Sequence, residues 1–539
     1  MSTISLRPPE KGAVSSAAAP GPLAPLRHPV FAALWVATVA SNTGTWMNDV
    51  GAAWLMTTLA PGPIMVALVQ AATTLPVFLF ALPAGALADI LDRRRLLLSV
   101  NLVLAVVAAS MTALVAGGMM TAPLLLLFTF LLGAGAAFMA PAWQAIVPGL
   151  VPRPALSAAV SLNSVGINVS RAFGPALAGL LIVSIGLWAP FAVNAFSFVG
   201  IIAVLWFWQG EPPRHRTTSP ESVLGAMLAG LRYARNSVGL RRVILRALAF
   251  FTFASAYWAL LPLIARDVLS GGAELYGLLL GAVGAGAVIG ALALAWLRRQ
   301  LEPGSLVLVG TLGTAIAMAA MAGFAVETVA IVVGLIAGAS WITVLSSLQV
   351  AAQAALPNWV RARGLSLYLM AFFGAMSGGA VFWGLVAEEI GVAATLLVAA
   401  MTLAVVGFAA TRIQIVAGDE LATVASLHWP APPIVESGAA ADGPVLVTLD
   451  YHVAEVNITP FRALMAQLGA ARRRDGGYGW HLFRIVEEDG LYREAFMVAS
   501  WAEHLRQHER VTEAERRLQA EIIALIEGER PRVRHHLAL

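Results

Sequence analysis

The chain of 539 residues lacks cysteine and carries very little charge. Without cysteine, disulfides, thiolate nucleophiles and cysteine metal ligands are excluded. Charged residues form 12% of the chain, against about 25% in soluble domains, so an ordinary soluble protein is excluded as well. Lysine is almost absent, since Lys11 is the only one. The sequence also has no GxxxxGKS or GxxxxGKT loop, which excludes a pump that binds ATP through such a loop in this chain.

The charge that is present is unevenly placed. Residues 1–440 hold 36 of the Asp, Glu, Lys and Arg residues, and residues 441–539 hold the other 28. These densities are about 8% and about 28%, on either side of the soluble average. Together with a mean hydropathy of +0.79, they predict a large membrane part followed by a small soluble domain.

Windows of about 20 apolar residues, the length that crosses a bilayer, predict twelve transmembrane helices in two sets of six. The first set lies near residues 30–57, 63–88, 95–117, 122–142, 156–183 and 187–208. The second set lies near residues 243–265, 275–297, 305–324, 328–350, 364–387 and 392–411. Between them, residues 209–242 are expected to form a central cytoplasmic loop. Its segment 220–238 has the pattern of an amphipathic helix lying along the membrane surface.

The loops predict the orientation of these helices. With the amino terminus inside, the short inner loops hold Arg93, Arg94, Arg95, Arg153, Arg298, Arg299, Arg361 and Arg363. The outer loops hold acidic residues and one basic residue, Arg266. Because arginine accumulates on the cytoplasmic side, both termini are predicted to be cytoplasmic, with residues 1–27 as a disordered tail. The same rule explains the basic excess, so no nucleic-acid partner is expected.

The two sets of helices share sequence patterns. Two patterns recur just over 200 residues later in the chain: Gly85 with Arg93 recurs as Gly290 with Arg298, and Gln144–Pro148 recurs as Gln353–Pro357. Two matches at equivalent loops favour duplication over coincidence. Parallel six-helix repeats with a binding site between them are a transporter architecture.

The segment Gly85-Ala-Leu-Ala-Asp89-Ile-Leu-Asp92-Arg93-Arg94-Arg95 resembles the loop motif between helices 2 and 3 of the major facilitator superfamily. The resemblance implies that fold. It also implies a conformational latch between the two halves on the inner side, formed by Gly85, Asp89, Arg93, Arg94, Gly290 and Arg298. Asp92 stands where the family usually has glycine, and Leu294 stands at the acidic position of the second copy. The latch is therefore expected to depend on the first copy.

Three further segments narrow the resemblance to the branch that contains enterobactin and drug exporters. They are Asn42–Met47, Pro141–Gln144 and Asn168–Gly179. The last contains Gly174, Pro175 and Gly179, which are similar to a motif on helix 5 of exporters. A subgroup called transmembrane secretion effectors carries an extra carboxy-terminal domain, as this chain does. The resemblance covers about residues 28–412 and implies export of a small molecule without indicating which one.

Two ionisable residues lie within predicted spans, where such groups are costly and usually face the protein interior. Asp49 is about 19 residues into helix 1 and Arg171 about 16 residues into helix 5, which is roughly 28 and 24 Å of rise. We therefore hypothesise that they pair, directly or through Asn48 or Asn168, as coupling residues. An interfacial position for Asp49 and a structural lock for Arg171 are the alternatives.

One feature of the sequence argues against proton coupling. Antiporters of the family often carry an arginine on helix 4, but residues 122–142 contain no charge. This departure either puts proton antiport in doubt or moves its chemistry to Asp49 and Arg171.

Other polar and aromatic residues within the spans are candidates for lining a central cavity. They are Asn42, Trp46, Gln70, Asn163, Asn168, Asn194, Tyr257 and Trp258. Hydrogen bonds between helices are the commoner use of such amides. Packing, or a belt at the membrane interface, is the commoner use of the aromatic residues.

The end of the chain changes character. After a linker predicted at 413–442, residues 443–539 show the order β-α-β-β-α-β of a ferredoxin-like domain, with one long helix near 500–527. The domain resembles small monooxygenase-like α+β domains that pair through their sheets, which implies self-association. His504 and His508 have the spacing of a metal-binding pair on one helix face. Without a third ligand, a solvated polar face is the preferred interpretation.

The sequence thus predicts an all-α membrane protein with two six-helix halves, 28–208 and 243–412, followed by a cytoplasmic ferredoxin-like domain. The predicted function is secondary active export of small amphipathic molecules, of the drug or siderophore type, by alternating access. The predicted location is the bacterial inner membrane, and the predicted partners are the cargo, the lipid bilayer and protons. No enzymatic activity, metal or cofactor is expected. Two alternatives remain: a transporter-derived sensor that uses its soluble domain, and a membrane-tethered enzyme with its activity in residues 443–539.

Overall fold

Two bundles of six long helices and a small α+β domain make up the protein in this computed structural model. The structure describes residues 21–208, 223–357, 359–415, 424, 426, 428, 429, 443–528 and 531–538. Most of the predicted amino-terminal tail and linker, and the first part of the predicted central loop, lie outside these residues. The predicted fold class, a helical membrane part in two sets of six followed by an α+β domain, is confirmed.

The first bundle comprises α1 (Pro29–Leu59), α2 (Pro63–Ile90), α3 (Arg93–Ala116), α4 (Ala122–Leu150), α5 (Leu156–Ser184) and α6 (Ala189–Phe207). Four of these helices have proline in their first two positions, where its missing N–H costs nothing. α3 begins differently, because the Asp92 carboxylate accepts a hydrogen bond from the Arg95 N–H at 2.8 Å. The aspartate that replaces the motif's usual glycine is therefore the amino-terminal cap of α3.

The second bundle follows the predicted amphipathic helix, which the structure shows as α7 (Val223–Asn236). It comprises α8 (Val238–Leu263), α9 (Ala273–Gln300), α10 (Pro303–Gly323), α11 (Glu327–Ala354), α12 (Arg361–Ile390) and α13 (Val392–Ala409). A short π-helical turn, Ile264–Val268, extends α8.

Eleven of the described helical segments are long and apolar enough to cross a membrane, so twelve crossings are not confirmed. α1 is the exception among the long helices. It has 31 residues, which is sufficient length, but polar residues from Ser41 to Asp49 interrupt its apolar sequence. The same polar stretch contains most of the candidate site residues of the first helix.

The two bundles meet along a seam between α5 and α9. We call the end of the bundles where α1 ends and α2 begins the distal end, and the opposite end the proximal end. A Cβ atom on Gly277 would lie 2.5 Å from the Pro175 carbonyl oxygen, and one on Gly179 would lie 2.8 Å from the Ala273 carbonyl oxygen. Glycine is therefore required at both positions for the helix backbones to touch. The helix 5 motif thus forms the distal half of this seam.

The same seam is open toward the proximal end. Residues three or four positions apart lie on one face of a helix. On the proximal side of Gly284, the residues that follow on the two contacting faces are exposed. They are Ser161 and Val165 on α5, and Val288 and Leu292 on α9. The buried core shows the same division. Val50, Val66 and other distal residues of the first bundle share one apolar core with the second bundle, whereas the proximal residues around Leu97 form a separate core.

The carboxy-terminal domain contains β1 (Val445–His452), α14 (Ile458–Arg474), β2 (Tyr478–Arg484), β3 (Leu491–Val498), α15 (Trp501–Arg510), α16 (Glu513–Ile523) and β4 (Val533–Leu537). The strands form an antiparallel sheet in the order β2-β3-β1-β4, with Val445 opposite Val498 and Leu537. The prediction of one long helix over 500–527 is wrong. The backbone is extended at Val511, and the Thr512 side chain caps a new helix by accepting the Glu515 N–H.

Candidate functional site

Arg171 lies where the α5–α9 seam opens. Its carbonyl oxygen is 2.8 Å from the Cβ position of Gly284, the last close contact of the seam. Its guanidinium carbon lies 5.6 Å from the centre of the Trp46 ring on α1. The Nε atom is buried and has no hydrogen-bond partner in the part of the chain that the structure describes. A buried donor without a partner costs about 1–3 kcal/mol, so this group is suited to bind an oxygen of a ligand.

Asp49 lies farther toward the distal end. The hydroxyls of Thr43 and Ser170 are 3.1 Å apart, and a Cβ on Gly174 would lie 2.7 Å from the Trp46 Cβ. This register places Asp49 about six residues, or about 9 Å, beyond Arg171. No ion pair joins the two side chains within the described residues, so the hypothesised pair is not formed in this conformation.

The expectation of equal depth is also wrong, because it assumed that the two helices start at the same level. Asp49 instead lies five residues before Trp54 on α1. The ring of Tyr276 stacks on Trp54 of α1, with ring centres 6.2 Å apart. The two coupling candidates therefore occupy different levels of the interface between the bundles.

The predicted cavity amides fall into two groups. Asn194 is only 1% exposed, and its Cα would lie 2.9 Å from a Cβ on Gly44. It therefore packs between α6 and α1, but its buried Oδ1 has no hydrogen-bond partner among the described residues, so the alternative of an interhelical hydrogen bond through this oxygen is not realised here. Asn42, Gln70, Asn163 and Asn168 are partly exposed. A cavity role for this second group remains a prediction.

The second bundle supplies an aromatic cluster, which consists of Phe250, Phe251, Tyr257 and Trp258 from α8, Trp341 from α11 and Phe372 from α12. Ring centres are 5.1 Å apart for Trp258 and Trp341, and 4.4 Å for Phe251 and Phe372. The Tyr257 hydroxyl and the Trp258 Nε1 are buried without a hydrogen-bond partner among the described residues. Such a cluster can bind an apolar ring and also donate hydrogen bonds to an oxygen. The sequence indicated Tyr257 and Trp258, but no local signal connects them with Trp341 or Phe372.

Charged side chains fasten the distal end. Arg266, in the π-helical turn after α8, donates hydrogen bonds to the carbonyl oxygens of Thr57 at 2.6 Å and Pro61 at 3.3 Å. Glu388 at the end of α12 accepts the Ile64 N–H at 3.4 Å. Both contacts cross from the second bundle to the first. The sequence placed Arg266 and Glu388 in outer loops without giving them this role.

Two of the predicted latch arginines, Arg94 and Arg298, make contacts within their own bundles. Arg94 donates to the carbonyl oxygens of Leu205 and Trp206, both at 2.8 Å, at the end of α6. Arg298 donates to the Ser346 hydroxyl at 2.9 Å in its own bundle. Arg93 begins α3, and the Asp89 side chain lies outside the described part of the structure.

The two latch glycines differ in their surroundings. A Cβ on Gly85 would meet nothing within 4 Å, whereas one on Gly290 would lie 2.7 Å from the Ala339 Cα of α11. Gly290 therefore has a packing role in its own bundle. The latch between the bundles remains a prediction for a conformation with a closed proximal end.

Another buried arginine also ties helix ends together. Arg246 of α8 is 3% exposed. It donates to the carbonyl oxygens of Ala410 at 3.0 Å and Gly304 at 3.3 Å, at the end of α13 and the start of α10.

The carboxy-terminal domain docks on the proximal end of the second bundle. Its Arg510 places the guanidinium carbon 4.3 Å from the centre of the Trp359 ring, in the loop between α11 and α12. Its Glu503 accepts a hydrogen bond from Arg510 at 2.6 Å and forms an ion pair with Arg232 of α7 at 3.2 Å. Its Arg474 lies over the ring of Tyr233 of α7 at 5.8 Å. We call these contacts the docking interface.

The two predicted histidines lie inside the carboxy-terminal domain, where they meet a third. Nε2 of His504 is 2.9 Å from Nε2 of His535 on β4 and 3.4 Å from Nε2 of His508. His504 is 2% exposed, so the expected solvated face is wrong for this residue. Burial and the neighbouring His535 lower the pKa of His504 to about 4. Among the described residues, no group of three or more His, Cys, Asp or Glu is arranged to hold a metal ion.

The sequence of residues 20–539 matches the family described as transmembrane secretion effector. The chain belongs to this family. This transmembrane secretion effector is 26% identical to the staphyloferrin A transporter of Staphylococcus aureus, over 47% of this chain and 63% of that protein. It is 28% identical to the multidrug efflux pump Tap of Mycobacterium tuberculosis, over 40% of this chain and 53% of that protein. It is 27% identical to the enterobactin exporter EntS of Salmonella choleraesuis, over 60% and 76%.

Solved transporter structures resemble the membrane part of this transmembrane secretion effector. The nucleoside transporter NupG aligns with a TM-score of 0.62 and 11% identity, over 71% of this chain and 99% of that chain. A POT family transporter in complex with 5-aminolevulinic acid aligns with a TM-score of 0.58 and 12% identity, over 71% and 96%. At these identities the likeness shows the fold alone. The protein is a multi-pass membrane protein with a transporter fold, as the resemblance to the major facilitator superfamily implied.

Proposed function

We propose that the protein is a secondary active exporter of small amphipathic molecules, of the drug or siderophore type, and that it works by alternating access. The observation that carries the proposal is the α5–α9 seam, which is closed at the distal end and open beyond Arg171 and Gly284. A pair of bundles that touch at one end is one of the two states that such a cycle needs. The relatives that are a staphyloferrin A transporter, a multidrug efflux pump and an enterobactin exporter support this class of cargo.

The proposed orientation makes the proximal end cytoplasmic, in the bacterial inner membrane. It rests on the inner-loop arginines and the rule that such residues stay on the cytoplasmic side. Cargo then enters between the open helix faces from the cytoplasm or the inner leaflet. The aromatic cluster binds its apolar part, and the unpartnered Nε of Arg171 binds an oxygen. No covalent step is needed, so the membrane part acts as a transporter and not as an enzyme.

Proton coupling is proposed to involve Asp49 and Arg171 at separate levels. Asp49 lies five residues before Trp54, whose ring stacks on Tyr276 in the closed distal part of the interface. Opening the distal end exposes the Asp49 carboxylate to the outside, where it takes up a proton. The neutral carboxyl then enters the interface as the distal end closes, which lowers the cost of closing. Once the proximal end is open, the proton leaves to the cytoplasm as Arg171 meets the next cargo.

The test is efflux of a fluorescent lipophilic dye from cells that express the full chain, with and without a protonophore. We expect efflux that the protonophore abolishes. Arg171→Ala is expected to lower the efflux rate at least about tenfold, the effect of one lost charged hydrogen bond. Asp49→Asn is expected to keep dye binding and lose the dependence on the proton gradient. Unchanged efflux in both variants would rule out their coupling role.

A sensor function is the second candidate, and the docking interface is the observation that favours it. A domain bound to α7 and to the loop between α11 and α12 is placed to respond to the membrane part or to act on it. Self-association through the sheet of this domain is proposed as well, from the resemblance to domains that pair in this way. Deleting residues 443–539 separates the candidates: efflux that survives the deletion supports the exporter, and a lost cellular response in a protein that transports little supports the sensor.

A further inference from the structure

The loop between α11 and α12 is held from two sides by groups outside its own helices. Arg510 of the carboxy-terminal domain lies 4.3 Å from the centre of the Trp359 ring. Tyr233 of α7 meets the same ring edge-on, with centres 5.7 Å apart, and donates a hydrogen bond from its hydroxyl to the Ala355 carbonyl oxygen at 3.1 Å. Trp359 therefore links the carboxy-terminal domain, α7 and the start of α12 in one cluster.

An ion pair connects the carboxy-terminal domain with α7. Glu503 binds both Arg510 and Arg232, and the Arg510 Nη1 also donates to the Asp475 carbonyl oxygen at 3.0 Å. Arg510 is 6% exposed and Glu503 is 9% exposed. This shielded pair lies within the carboxy-terminal domain and presents Glu503 to Arg232, whose side chain is 31% exposed. The docking interface therefore combines a partly exposed ion pair with the cation–π contact of Arg510 on Trp359.

The loop leads directly into α12, a helix of the second bundle that packs against α2 of the first. α12 packs on α2 in its distal part, where a Cβ on Gly384 would lie 2.6 Å from the Ala67 Cβ. The contact reaches about the middle of the helices, where a Cβ on Gly374 would lie 2.9 Å from the Phe78 ring. To close the proximal end, the proximal parts of α2 and α12 must also come together. The start of α12 is the part that the docking interface fixes.

We propose that the carboxy-terminal domain is a conformational brace. When it is docked as seen here, it holds the start of α12 through Trp359 and stabilises the state that is open at the proximal end. When it is undocked, α12 is free to move and the closed proximal state gains population. A contact made in one state and lost in the other shifts the equilibrium by its own free energy. One cation–π contact corresponds to a shift of between about twofold and about thirtyfold.

The test measures distances and does not require transport. The chain has no native cysteine, so Val165→Cys with Val288→Cys places two nitroxide labels on the open faces of α5 and α9. Pulsed electron spin resonance on the full chain in lipid nanodiscs then gives the populations of long and short distances. Trp359→Ala is expected to raise the short-distance population between about twofold and about thirtyfold. This residue lies outside the carboxy-terminal domain, so the substitution leaves the core of that domain intact.

Two further variants make the test specific. Arg510→Ala is expected to shift the populations in the same direction as Trp359→Ala, and the double variant is expected to shift them by less than the sum of the two, because both substitutions remove the Arg510–Trp359 contact. Asp489→Ala removes an exposed ion pair with Arg484 at the β2–β3 turn and is expected to leave the populations unchanged. Equal populations in the parent, Trp359→Ala and Arg510→Ala chains would overturn the brace.

The brace rests on the proposed alternating access, and the same data separate the two. A mixture of long and short distances that Trp359→Ala does not change would overturn the brace alone. A single long distance in every variant, including the double variant, would overturn both the brace and alternating access.

Discussion

The distal and proximal ends of the two bundles are held by different kinds of contact. At the distal end, backbone meets backbone at Gly179 and Gly277, and Arg266 bonds to backbone carbonyls of the other bundle. At the proximal end, Arg94 and Arg298 bond within their own bundles. The carboxy-terminal domain occupies the end of the second bundle.

This difference indicates which kind of contact controls each end of the two bundles. The distal contact depends on shape, because a single added methyl group would collide with a carbonyl oxygen. The proximal end depends on charged groups that have other partners while the bundles are apart. Small changes of volume should therefore act at the distal end, where Arg266 adds polar contacts, and changes of charge in the docking interface should act at the proximal end.

The largest expected effect comes from adding volume to the distal seam. In Gly277→Ala the new Cβ would lie 2.5 Å from the Pro175 carbonyl oxygen, so α5 and α9 must move apart. Overpacking of this kind costs about 1–3 kcal/mol, and we expect dye efflux to fall about tenfold or more. Gly378→Ala on α12 is the matched control, because a Cβ there meets nothing within 4 Å. Equal efflux in the two variants would contradict a distal seam built on close packing.

A smaller effect is expected from removing the hydrogen bonds that fasten the same end. Arg266→Ala removes the donors to the Thr57 and Pro61 carbonyl oxygens. With a net value of about 0.5–1.5 kcal/mol for such contacts, we expect efflux to fall between about twofold and about twelvefold. Asp267→Ala is the control, since it removes the ion pair with Arg266 and leaves both carbonyl contacts. If the control loses as much efflux as Arg266→Ala, the ion pair and not the carbonyl contact matters.

The smallest expected effect comes from pH. It changes the stability of the carboxy-terminal domain. The pKa of His504 is lowered to about 4, so its contribution to stability is full above pH 6.5 and is lost as the pH falls toward 4. The pH dependence of stability that Glu515 contributes has the opposite sign. Burial and the neighbouring Asp475 raise its pKa to about 7, so stability is gained as the pH falls from 7 toward 4.5.

The two contributions oppose each other, and His504→Gln is expected to separate them. The parent chain should show a shallow dependence on pH between 7 and 5. The variant should be more stable at pH 5 than at pH 7, by about 1–3 kcal/mol. Hydrogen exchange of the β1 and β3 amides in the full chain, corrected for intrinsic rates, measures this. His481→Gln, at an exposed position, is the control and should keep the parent slope.

Local patterns were sufficient to predict the long helices of the two bundles and the four strands, but not the break between α15 and α16. Apolar windows of about 20 residues are set by the thickness of the bilayer, and proline at helix starts is a local steric effect. The replacement of the motif's glycine by Asp92 was also visible in the sequence. Its role as the cap of α3 became clear only in the structure.

Distances between elements could not be predicted in the same way. Counting residues from the start of each span placed Asp49 and Arg171 at one level. The contact of Gly174 with Trp46 sets a different register. The docking interface has no local signature, because Trp359 and Arg510 are 151 positions apart and each looks like an ordinary loop or helix residue. The third histidine, His535, was missed for the same reason.

Arg94 and Arg246 make each bundle rigid at the end of its last helix. Each arginine binds carbonyl oxygens at the end of the last helix of its bundle, α6 or α13, so that helix cannot slide without breaking charged hydrogen bonds. Each bundle is thereby tied together as one body, and the seam that ends beside Arg171 and Gly284 is where one body meets the other.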